Sequence, residues 1–206
     1  MKELIKELEN VLLTSKNPIF NEMDRDDEWK FQEDILDNFQ YCKLPCIPEL
    51  MELYLWKTGC NDELLYDLSE DETVNNLKLS SFGNYASFIE STSMFVEDQL
   101  LDMRFANDKM LSFLFSGSIE YPILIDLDSN RETFKSLFLY WPELTHSEKP
   151  VMIYDSLSTW MRTIIECYKR GVYSIDAQGH LVSNLLEEYL LSKEINTKSG
   201  YWSLYV

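Results

Sequence analysis

Residues 111–171 read LSFLFSGSIEYPILIDLDSNRETFKSLFLYWPELTHSEKPVMIYDSLSTWMRTIIECYKRG, and this stretch decides the fold. Three short runs of aromatic and branched aliphatic residues, LSFLFSG, YPILIDLD and FKSLFLYW, are separated by turn-forming sequences such as DSNRE, the pattern of antiparallel strands. VMIYDS supplies a fourth strand. Asp155 or Ser156 is placed to cap a helix over 156–170, in which Leu157, Trp160, Met161, Ile164, Ile165 and Tyr168 keep helical spacing up to Gly171.

Downstream, VYSIDAQGHL predicts a short hairpin turning at Asp176–Gly179, and LVSNLLEEYLLSKE a helix. The aromatic stretch GYWSLYV is expected to pair as a strand or to dock on the domain, since leaving it loose would expose an apolar patch. Upstream, Leu4, Ile5, Leu8, Val11 and Leu12 mark a first helix that stops near Asn17-Pro18. In the acidic stretch from Glu22 to Asp37, Trp29, Ile35, Leu36 and Phe39 outline a second helix with an apolar stripe and its carboxylates toward solvent. Pro48 suits the first position of a helix over 48–58, and Gly59 a left-handed residue just past its end. NDELLYDLSEDETVNN reads as an acidic loop with room for one short strand, and 85–97 as a further helix. Helices, then a meander of strands, then helices again predict an α+β domain.

At 206 residues the chain is long enough to bury one sizeable core. Its 36 acidic residues face 18 lysines and arginines, a net charge of −18 with a pI near 4.4. The excess is uneven: residues 1–103 carry 23 acids and 8 bases, a net of −15, against 13 and 10, a net of −3, in residues 104–206. Such a field repels phosphates, so nucleic acid is not an expected partner, while basic partners are drawn in. Solubility alone also accounts for high charge. No apolar run approaches the ~18 residues of a membrane span, and the opening MKELIKELENVLL carries no export signal. A cytoplasmic location follows as the expectation, with Cys42, Cys46, Cys60 and Cys167 reduced and mostly packed as small hydrophobes.

The motifs that carry chemistry are thin. An apolar strand delivering Asp126 and Asp128 resembles the opening motif of the haloacid-dehalogenase phosphatases, in which the first Asp attacks phosphorus beside Mg²⁺. Asn130 stands where that motif has Thr or Val, and no acidic pair suited to metal follows. The same DLDSN fails as a calcium loop, because Arg131 occupies the glycine position and Leu137 that of the bidentate Glu. His146 and His180 have no partner motif, the cysteines form no CxxC pair, and no phosphate-cradling glycine loop is present. No metal, cofactor or enzymatic activity is expected, a hydrolase at Asp126 and Asp128 being the least favoured of the functions weighed.

IPELMELYLWKTG resembles the early helix of the SUKH superfamily, which includes fungal cell-wall-assembly regulators and many bacterial toxin-immunity proteins. PILIDLDS followed by VMIYDSLSTWMRTIIECYKRGVY resembles that family's closing pattern, a central strand ending in acids, another strand, then a Ser-led helix with an early aromatic. The resemblance spans about residues 45–175; Thr58 departs from the Asn common in the family before the helix-ending glycine. It implies a twisted, mainly antiparallel sheet flanked by helices in a single domain over 1–206, with 1–44 as an N-terminal helical extension and 176–206 as a C-terminal one. It further implies a non-catalytic immunity protein that neutralises a cognate toxin. Nuclease toxins tend to be basic because they hold a polyanion, so the acidic half is the expected contact surface, with Asp62, Glu63, Asp67, Glu70, Asp71 and Glu72 at its centre and Trp56 or Tyr66 as aromatic anchors. The alternative is a regulatory or scaffold protein of the same fold working through protein contacts.

Overall fold

In a computed structural model of the chain, the residues described are 1–18, 20, 23–24, 32–41, 44–56, 59–60, 110–115, 122–140, 142–179 and 181–203. They form an α+β arrangement centred on a four-stranded antiparallel sheet, β3 (Met110–Phe115), β4 (Pro122–Asp126), β5 (Leu137–Leu139) and β6 (Val151–Tyr154), in simple meander order. The four runs of the deciding stretch thus become neighbouring strands. In register, Ile125 lies opposite Leu111 on one side and Leu137 on the other. Alternation along β4 sends Ile123 and Ile125 into the main core and Leu124 to the opposite face, where it meets Met110, Phe138 and Tyr140.

The helix after β6, α5 (Leu157–Lys169), covers the core face with Leu157, Trp160, Met161, Ile164, Ile165 and Cys167, all buried. Each of the large apolar side chains contributes ~1.5–3 kcal/mol relative to exposure. Ser156 is its cap: the Ser156 hydroxyl accepts from Thr159 N at 3.1 Å, and the Thr159 hydroxyl accepts from Ser156 N at 2.9 Å. Gly171, at φ +72°, ends it. A short helix, α4 (Pro142–Thr145), precedes β6 where the sequence showed no element.

Helix α1 (Lys2–Thr14) packs on α5 through Ile5, Leu8 and Leu12. It closes with Lys16 at φ +57°, Lys16 N donating to Leu13 O and Asn17 N to Leu12 O, the paired bonds of a Schellman turn. The second helix is α2 (Gln32–Tyr41), and Met23–Asp24, inside the acidic stretch expected to carry it, form a two-residue strand, β1, paired with β2 (Gly59–Cys60). The like charge of Glu28, four residues on, disfavours helix at Asp24. Helix α3 spans Pro48–Trp56, residues 57 and 58 lie outside the described residues, and Gly59, expected as a left-handed residue past the helix end, is taken up in β2. The helix expected over 85–97 lies outside the described residues.

Beyond α5, β7 (Tyr173–Ile175) and β8 (Leu181–Ser183) make the expected hairpin, and Gly179 at φ +92° permits its turn. Asn184 caps α6 (Leu185–Ile195). The aromatic segment docks as a turn of 3-10 helix, Tyr201–Ser203, with Trp202 wholly buried in the same core that holds Ile5, Leu8 and Leu12. This turn and the residue before the segment reach the outer strand: Trp202 Nε1 donates to Ile153 O at 2.5 Å and the Ser199 hydroxyl to Met152 O at 2.7 Å.

Candidate functional site

Helices α1, α2 and α3 enclose an open groove of about 600 Å³. Ile5, Ile47 and Met51, each mostly buried, give it an apolar floor, and the half-exposed Leu55 and Trp56 and the exposed Leu36 line its mouth. Leu36 reaches this position because it lies 100° around α2 from Ile35. Ile35 and Phe39, four residues apart, take the buried face, so Leu36 is not part of the buried stripe expected for it and is 42% exposed.

Trp56 is oriented by a hydrogen bond from its Nε1 to Glu9 Oε1 at 2.7 Å. The Lys2 backbone N–H donates to Glu52 Oε2 at 2.9 Å, and the same carboxylate lies 3.6 Å from the Met1 amine. Cys46 also lines the groove, where burial pushes its thiol up to about 11, so it is a poor nucleophile near neutral pH. Lys2 and Lys6 stand on the α1 wall, yet the three helices together carry eight carboxylates against these two lysines. Glu33 and Asp37, beside the groove-lining Gln32 and Leu36, are exposed and form no ion pair among the described residues.

Of the contact residues expected from sequence, the structure brings Trp56 to this groove; Asp62, Glu63, Tyr66, Asp67, Glu70, Asp71 and Glu72 lie outside the described residues. Sequence reasoning missed Leu36 and Met51 as groove residues, and Glu33 and Asp37 as the acids next to its α2 wall. The i, i+4 pairing of Glu33 with Asp37 beside Gln32 and Leu36 was the available signal.

The acidic strand end has a different role. Asp126 is fully buried, and its carboxylate accepts from Asp128 N at 2.9 Å and from the Thr133 hydroxyl at 2.7 Å, with Arg131 Nη1 at 3.3 Å. Lys135 N donates to Asp126 O at 2.7 Å and Asp126 N to Ser136 O at 3.1 Å, so this one residue ties both ends of the β4–β5 connection. Asp128 Oδ1 accepts from Asn130 N and Nδ2, each at 3.1 Å. Both carboxylates thus shape a turn, and no group of three or more potential metal ligands occurs among the described residues. His146 is exposed, His180 lies outside the described residues, and Cys167 is buried on α5. A further titratable cluster is wholly internal: the Tyr173 hydroxyl donates to Glu188 Oε1 at 2.7 Å, and burial, then the nearby Glu188 and Cys167, raise Tyr154 and Tyr173 well above the ordinary phenol range.

No helix among the described residues is long and apolar enough to cross a membrane. Compared with known proteins, the chain matches no family model, no curated protein and no solved structure.

Proposed function

We propose that the chain is a non-enzymatic, cytoplasmic protein-binding module of the SUKH type, acting as an immunity protein that occupies and neutralises a basic, nuclease-type toxin. The observation that carries this reading is the coincidence of charge and apolar surface. The half of the chain with a net charge of −15 also supplies all the lining of the apolar groove beside Trp56. Carboxylates steer a basic partner and raise its association rate by ~10–1000-fold, while an apolar slot supplies the contact that slows dissociation. The acidic residues 62–72 follow β2 in the sequence and are proposed as part of the same contact surface.

The test is to mix the purified chain with the toxin domain encoded beside it and to measure inhibition and binding as salt is varied. Tight binding that weakens with salt and abolishes toxin activity is the expected result. Binding without salt dependence removes the electrostatic mechanism, and no binding to any neighbouring toxin transfers the groove to a regulatory or scaffold partner. A metal-dependent phosphatase screen with Asp126→Asn as control is expected to find no turnover.

A further inference from the structure

We propose that the groove between α1, α2 and α3 is the docking slot for a basic polypeptide segment that inserts one large apolar side chain, its flanking lysines or arginines lying over Glu33 and Asp37. The proposal deepens the binding reading above and rests on it. Three observations converge on this occupant. The floor is apolar and wide enough, at about 600 Å³, for a large side chain and part of its backbone. Trp56 is held by Glu9, so one wall is a pre-oriented aromatic surface that loses little freedom on binding.

The charges are also asymmetric. Lys2 and Lys6 mark the α1 wall as unfavourable for cations, whereas α2 presents Glu33 and Asp37 at consecutive turns without internal partners among the described residues. A basic segment is thereby given one orientation across the groove. Four of the other carboxylates on these helices are engaged: Glu9 with Trp56, Glu52 with the Met1 amine, Glu49 with Lys135 and Glu7 with Lys169. A second copy of the chain fits poorly, because each copy brings a net charge of −18.

Two synthetic peptides of equal positive charge test the assignment, one alternating lysine with leucine and one alternating lysine with alanine. The readout is the NMR signal of the Trp56 indole N–H, identified by its loss in Trp56→Phe. The leucine peptide is expected to shift this signal saturably, and the alanine peptide to bind on the order of tenfold more weakly. Leu36→Gln, a change at an exposed position, weakens the leucine peptide by about tenfold, and Glu33→Gln with Asp37→Asn weakens both peptides and flattens their salt dependence. Equal binding of the two peptides, an unmoved Trp56 signal, or an unaffected Leu36→Gln chain overturns the proposal. So does a dimer in sedimentation of the free chain that Leu36→Gln dissolves, since the groove then belongs to a second copy. A neighbouring toxin that binds the Leu36→Gln and unaltered chains alike removes the groove assignment but leaves the immunity reading in place. Saturable peptide binding at Trp56 with no toxin binding does the reverse.

Discussion

The indole nitrogen of Trp56, the last residue of α3, donates to the carboxylate of Glu9 in the middle of α1 across 2.7 Å, joining two helices 47 residues apart in sequence. The bond is partly shielded from water, and one of its partners is charged. Trp56→Phe keeps most of the ring but leaves Glu9 without this donor, and is expected to destabilise the fold by ~1–2 kcal/mol, read as a lower urea midpoint at unchanged slope. A slope change would mean that the two helices separate in the folded state.

Asp126 and Asp128 are expected to respond very differently to truncation. Asp126→Ala removes the buried acceptor of a backbone N–H, a hydroxyl and an arginine, and costs ~3 kcal/mol. Asp128→Ala, at a half-exposed turn position, costs under ~1 kcal/mol. Thermal unfolding of the two variants checks this, and equal small losses would count against the turn-holding role of Asp126.

The helix ends give two predictions of opposite sign. Lys16 is exposed and held at φ +57°, a conformation glycine adopts without strain, so Lys16→Gly stabilises by ~0.5–1 kcal/mol. Gly171 sits at φ +72° with open space around it, so Gly171→Ala costs ~1 kcal/mol through backbone strain alone. At this chain length each corresponds to a shift of ~2–4 °C in Tm per kcal/mol, measurable by calorimetry.

Glu49 on α3 accepts a hydrogen bond from Lys135 Nζ at 2.5 Å. Partial burial acts to raise its pKa, but the Lys135 hydrogen bond, a backbone hydrogen bond and the Lys135 charge together outweigh it and hold the carboxyl below the ordinary glutamate range. A value lower in the folded than in the unfolded state means that the stabilisation is complete above the unfolded value and disappears as pH falls through the folded one. Stability is therefore expected to drop on acidification through and below the ordinary glutamate range. Lys135→Met flattens that part of the profile, and an unchanged profile in this variant would show that other carboxylates set it.

The meander and α5 were legible because each rests on local rules: short β-branched and aromatic runs between turns, and a 3.6-residue stripe bounded by Ser156 and Gly171. The groove was not, since its walls come from residues 2–6, 32–36 and 46–56, which meet through packing and share no single periodicity. Leu36 shows the difficulty well. It looked like one more residue of a buried stripe, and only the choice of Ile35 and Phe39 as the inward pair leaves it at the rim. The β1–β2 pair was also invisible, because two residues on each side are too few to show alternation.

The side-chain bonds from Trp202 and Ser199 to the carbonyls of β6 join groups up to 49 residues apart, so that β6 is synthesised well before its partners. Until those are made, the outer strand of the meander presents open acceptors beside an unfinished core, the kind of surface on which nascent chains associate with one another. Folding of this domain thereby waits on the synthesis of residues 199–202, and a chain cut before Ser199 is expected to be one that a chaperone holds.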